Sequence, residues 1–113
     1  MRKNLTRQER LKKRKEINRL FQIAERVKCS GLKLLYIENH CPLNRIAVCT
    51  AKGFRKAVAR NREKRICREA YRLLKNEIKP GYDLVVVIYP GAYMFIERFQ
   101  QLQLLLKRAG LVK

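Results

Sequence analysis

Acidic residues are scarce in this sequence. Nine Asp and Glu stand against 28 Lys and Arg in 113 residues, which leaves a formal net charge of +19. Solubility needs only about 2 to 8 charges of either sign, and the excess repels itself on so small a body, so the composition points to a polyanionic partner. Histidine occurs once, at His40. A protein nuclease needs a general base, a metal cage or an activated nucleophile, and little here supplies one. Glu63 and Glu69 fall about 120° apart around a helix, too far to work as a pair. His40 and Cys41 are adjacent with diverging side chains, and zinc would want three or four ligands at short spacing, so no metal site is expected. There is no CxxC pair, because Cys29, Cys41, Cys49 and Cys67 are 12, 8 and 18 positions apart; they read as buried, reduced thiols. Long apolar runs are also missing. The longest, near Leu84–Tyr93 and Leu102–Leu106, fall well short of the roughly 20 residues that cross a bilayer. No apolar stretch follows the basic start, so no secretory signal is expected and the cytoplasm is the expected location.

Hydrophobic residues nevertheless make up 47% of the chain, enough for one modest core and too little chain for two. A single domain over residues 1–113 follows, with residues 1–10 as a basic arm. The charge is unevenly placed. Residues 1–28 and 52–75 each carry a net +8, and the other 61 positions share only +3. Two basic segments therefore bracket a nearly neutral middle, as two contact surfaces would.

Hydropathy patterning supplies the elements. Ile17, Leu20, Phe21 and Ala24 repeat at helical spacing and predict a short amphipathic helix over about 13–26, ended by Ser30-Gly31. Leu32–Glu38 and Arg45–Thr50 are β-rich runs around an Asn- and Pro-containing turn, and together predict an antiparallel hairpin. Leu84–Tyr89 is a continuous β-branched run between Pro-Gly pairs, which predicts a central strand buried on both faces. A last helix over about 96–109 buries Phe95, Phe99, Leu102, Leu105 and Leu106 and stops at Gly110.

Between the second and third of these strands, residues 56–78 are helical in period. Ile66, Cys67, Ala70, Tyr71, Leu73, Leu74 and Ile78 share an arc of about 160° that would face a sheet. Asn61, Lys64, Arg65, Arg68, Arg72 and Lys75 share the neighbouring arc, so five cations and one amide line up along roughly 20 Å of helix. Guanidinium forks bind phosphate oxygens in pairs, and an adjacent Asn can reach a sugar or base edge. No glutamate of this segment lies in the basic arc, so the stripe reads as a track for a phosphate backbone. A DNA recognition helix fits poorly, since Asn61 is almost the only base-reading side chain it offers.

Ala57-Val58, Arg60-Asn61-Arg62, Lys64-Arg65 and Arg68-Glu69-Ala70-Tyr71-Arg72 closely resemble the RNR signature of the bacterial ribonuclease P protein subunit. The resemblance extends to Arg10-Leu11-Lys12-Lys13, the helix ending Leu20-Phe21, a strand carrying Tyr36, and the closing Leu-rich helix. It implies an α+β fold, an α/β sandwich with a small mixed sheet and three helices in αβββαβα-like order, similar to a ribosomal protein domain. It also implies a left-handed βαβ crossover, where general rules favour the right-handed one. The implied function is that of a protein subunit whose RNA partner removes the 5′ leader of precursor tRNA, with the RNA carrying catalysis and magnesium ions held at the RNA active site. The implied partners are that catalytic RNA and precursor tRNA, bound by a monomeric protein in a 1:1 ribonucleoprotein. Residue matching assigns catalytic-RNA binding to Arg60, Arg62, Lys64, Arg65, Arg68 and Arg72. It assigns the leader to Lys12, Ile17, Phe21, Tyr36, Lys52, Lys56, Arg60 and Asn61, with Ile17, Phe21 and Tyr36 in a cleft between the first helix and the sheet. Two departures stand out: Ile17 occupies a position where the family commonly has a ring, and Gly53 lies two residues before the family's usual glycine, where this chain has Arg55. The competing expectation is a ribosomal or general RNA-binding protein.

Overall fold

The computed structural model describes residues 7–113. Helix α1 (Arg14–Ile23) leads into strands β1 (Glu25–Cys29), β2 (Leu32–Glu38) and β3 (Arg45–Thr50). Helix α2 (Ala57–Leu74), strand β4 (Tyr82–Ile88) and helix α3 (Phe95–Arg108) follow, with short 3-10 turns at Arg7–Glu9 and Lys75–Glu77. The αβββαβα order and the mixed sheet match the expectation. Strand order is β1-β2-β4-β3, antiparallel except for the parallel β3/β4 pair that α2 connects. The β-branched run of β4 is indeed central, and Asp83 through Ile88 are all buried.

The hairpin lies elsewhere than the sequence reading put it. β2 pairs with β1 across Ser30-Gly31, where Gly31 adopts φ +93°, and β4 inserts between β2 and β3. The Asn-rich stretch 39–44 does not turn β2 back onto β3. It is bonded to the start of β4 instead. Asn39 donates through Nδ2 to Asp83 Oδ1 at 2.9 Å, Asn44 Oδ1 accepts from the Tyr82 N–H at 2.7 Å, and Asn44 Nδ2 donates to the Lys79 carbonyl at 2.9 Å. β1 carries no strand signature in its hydropathy because Glu25, Arg26 and Lys28 are exposed and only Val27 and Cys29 reach the core.

Each sheet face has its own core. On one, Leu32, Leu34, Val86 and Ile88 pack against Cys67, Ala70, Tyr71 and Leu74 of α2 and against Leu102, Leu105 and Leu106 of α3. On the other, Leu35, Ala47, Val85 and Val87 meet Leu20, Ala24 and Leu11. Two helices cover the first face and one ten-residue helix the second, so among the described residues part of the second face borders a cavity.

Residues 7–10, expected as part of a basic arm, form a 3-10 turn and a bridge to Ile46 instead. Met1 to Thr6 lie outside the described residues, but the chain is docked by Leu11, which is buried and donates its N–H to the Ile46 carbonyl at 2.8 Å. Nor are the cysteines uniformly buried: Cys67 is, and burial pushes its thiol up to about 12, whereas Cys41 is exposed and Cys29 and Cys49 are half-buried. Arg98 on α3 is 0% exposed, a charged residue inside the core. Its Nε donates to Glu63 Oε1 of α2 at 2.8 Å, its two terminal nitrogens donate to the Gly31 and Tyr89 carbonyls at 2.8 and 2.9 Å, and the guanidinium lies 4.5 Å from the Tyr93 ring centre. One side chain thus ties α2, α3, the β1–β2 turn and the end of β4 together.

Candidate nucleic-acid interface

Helix α2 starts after an extended Lys56, and its apolar arc seats it on the sheet as its period requires. Cys67, Ala70, Tyr71 and Leu74 are buried, while Asn61, Arg62, Arg65 and Arg68 are exposed and Arg60, Lys64 and Arg72 half-buried. Among the described residues, Arg62, Arg65 and Arg68 make no ion pair. The far end of the stripe differs from the sequence reading. Arg72 donates through Nε to Glu69 at 3.0 Å, which holds that carboxyl below its ordinary range, and Lys75 Nζ lies 3.2 Å from both oxygens of Glu9. Glu9 lies outside the helix segment and arrives from the N-terminal turn, a placement that helical period within 56–78 does not show. The cationic surface open to solvent is therefore the N-terminal two-thirds of α2.

The loop before α2 presents Lys52 and Lys56, both exposed. Gly53 takes φ +113° there, and a Cβ would come within 3.1 Å of the Pro90 ring. The glycine requirement has moved to position 53, which frees Arg55 from it. Arg60 reaches back to the Phe54 carbonyl at 3.5 Å, closing the loop against the helix.

Beside α2 lies a cavity of about 340 Å³, lined by Arg10, Lys12, Ile17, Ala47, Cys49 and Arg68 among others. It has an apolar floor and a cationic rim. Burial raises the Cys49 thiol pKa, and the nearby Lys64 charge opposes the shift, so Lys64 also acts on this floor. Ile17 packs half-buried against the α1-side core, and Phe21, one turn on, is 38% exposed. The stripe Ile17, Leu20, Phe21 and Ala24 thus splits: Leu20 and Ala24 are core, and Phe21 presents its ring to solvent.

Tyr36 is not in this cleft. Side chains alternate along β2, and Tyr36 shares its side with Leu32 and Leu34, packing against the α2/α3 core. Desolvation, Glu25 and Tyr82 raise its pKa, and these neighbours too belong to that face. A ring at the end of β4 that does share the α1 side is Tyr89, half-buried against the same core as Ile17 and Cys49. A run apolar on both faces carries no phase, so hydropathy does not tell which side Tyr89 takes. Among the described residues no three His, Cys, Asp or Glu are placed to hold a metal ion.

Comparison with known proteins identifies the family and the fold. Residues 5–110 match the family model described as Ribonuclease P. A ribonuclease P protein component from Clostridium botulinum is 36% identical over 107 residues, covering 90% of this chain and 95% of its own, and one from Dictyoglomus turgidum is 30% identical over 110 residues, covering 94% and 92%. The solved RNase P protein from Thermotoga maritima superposes with a TM-score of 0.80 at 28% identity, covering 88% of this chain and 96% of that one. The Staphylococcus aureus RNase P protein, at 23% identity and a TM-score of 0.83, covers 93% and 98% and shares the fold.

Proposed function

Since the chain belongs to the ribonuclease P protein family, we propose that it binds the catalytic RNA of that ribonucleoprotein through α2 and holds the 5′ leader of precursor tRNA in the cleft beside α1. As the protein component of an endoribonuclease that matures tRNA 5′ ends, it contributes binding and leaves bond cleavage to the RNA. The observation that carries the reading is the position of Arg68, which belongs both to the exposed row of α2 and to the rim of the cleft. Two RNAs held by these surfaces would meet along one continuous cationic edge.

Each side chain has a physical task. Arg60, Arg62, Lys64, Arg65 and Arg68 bind phosphates of the catalytic RNA, and affinity rises by counterion release. Lys12, Lys52, Lys56 and Asn61 surround the leader, and the Phe21 ring stacks on an unpaired base without demanding a sequence. Magnesium ions belong to the RNA active site in this reading, held by its phosphates. The protein acts as a monomer in a 1:1 particle in the cytoplasm.

The test is reconstitution. Purified protein added to a bacterial ribonuclease P RNA and precursor tRNA at low magnesium is expected to stimulate 5′ cleavage well above RNA alone, and absence of stimulation rejects the function. In the same assay Phe21→Ala is expected to weaken binding of leader-bearing precursor by about 1–3 kcal/mol, the worth of one stacked base, and to leave mature tRNA unaffected. Equal losses for both substrates would remove the stacking role.

A further inference from the structure

Strand register places four side chains in one row across the α1 side of the sheet. Lys28 pairs with Lys33, Lys33 with Val87, and Val87 with Cys49. Val87 and Cys49 pack on the α1-side core, and paired residues share a face, so both lysines stand on that side too. Cys49 lines the leader cleft. Three strand spacings, about 14 Å, separate it from Lys28.

Two like charges directly opposite each other destabilise a strand pair, and among the described residues neither lysine makes an ion pair. Glu25 pairs with Tyr36 and Glu38 with Tyr82, which places both on the opposite face. Glu16 and Asp83 both bind Arg45, in the pair Arg45–Asp83 at the other end of the β4 register. A further cation stands there instead: Arg26 shares the side, through its pairing with Leu35, and donates to the Phe21 carbonyl at 2.7 Å. Helix α1 runs from Ile17 in the cleft to Phe21 and then directly into β1, so the helix leads from the cleft to the lysines.

We propose that Lys28 and Lys33 form a phosphate-binding station for the part of the precursor leader that extends beyond Phe21. The inference rests on the leader reading given above and adds a length dependence to it. A short leader ends at the ring; a longer one crosses the sheet and brings its backbone phosphates between the two ammonium groups. The unrelieved like-charge pair is what a site looks like when its counter-charge arrives with the substrate.

The experiment uses the reconstituted holoenzyme with two precursors, one whose leader ends at the cleft and one several nucleotides longer. Lys28→Glu turns the strained pair into an opposite-charge pair, so its melting temperature should match or exceed that of the parent. With the long leader the expected result is a loss of affinity of about tenfold, and for Lys28→Ala/Lys33→Ala a salt-dependence slope reduced by about 0.7 per lysine. With the short leader neither variant should change affinity or slope. Equal losses for both leaders, or no loss for either, overturn the proposal. Phe21→Ala separates the two levels: if it loses leader affinity while the lysine variants do not, only the station fails, and if it too is silent the cleft reading fails with it.

Discussion

Arg98→Ala is expected to destabilise the folded protein by about 3–5 kcal/mol, the range for removing one partner of a buried ion pair. The magnitude follows from what is left behind. Glu63 would lose its only ion-pair partner among the described residues while still buried, and the Gly31 and Tyr89 carbonyls would each lose a charged donor. Glu63→Ala should cost a similar amount, since it removes the counter-charge of a guanidinium that is 0% exposed. Replacing both together with apolar residues, Glu63→Leu with Arg98→Met, should restore much of the loss, because the desolvation penalty of the pair disappears with its attraction. Urea unfolding of the three variants is the measurement. A single-variant cost below about 1 kcal/mol, the worth of an exposed pair, would mean that water reaches Arg98.

Arg65→Ala with Arg68→Ala should leave stability nearly unchanged, because both side chains are exposed and neither makes an ion pair among the described residues. Binding to the catalytic RNA should fall by about a hundredfold, taking charge-assisted hydrogen bonds at about 1.5 kcal/mol each. The slope of affinity against salt should flatten by about one unit per arginine. A titration at several salt concentrations reads both. Arg72→Ala should do less, since Glu69 already holds that guanidinium. An unchanged slope in the double variant would show that the exposed row of α2 is not the phosphate track.

The contrast between these two predictions reflects what a sequence can carry. The exposed row of α2 was legible because period 3.6 assigns every side chain a direction, and a run of cations away from the apolar arc can only face solvent. The same period contained the clue to the buried pair. Glu63 falls in the middle of the apolar arc, and Arg98 falls on the stripe of Phe95, Phe99 and Leu102, so two opposite charges sat at core positions of two helices. Each looked like noise on its own helix, because only the packing of α2 on α3 brings them together. Strand pairing was legible in part. The central place of β4 followed from its composition, but β2 and β3 were joined by sequence proximity, and a parallel partner reached through α2 leaves no local trace. Tyr36 was assigned to the cleft by resemblance alone. Its face follows from alternation, once Leu35 is seen to lie under α1.

The measurement that bears most directly on the account places a photo-crosslinking side chain at position 21 or at position 36 of the holoenzyme and maps where each attaches to precursor tRNA. Attachment to the leader from position 21, with none from position 36, is the expected outcome, because the two lie on opposite sides of the sheet. Leader attachment from position 36, or its absence from position 21, would contradict the path assigned to the RNA.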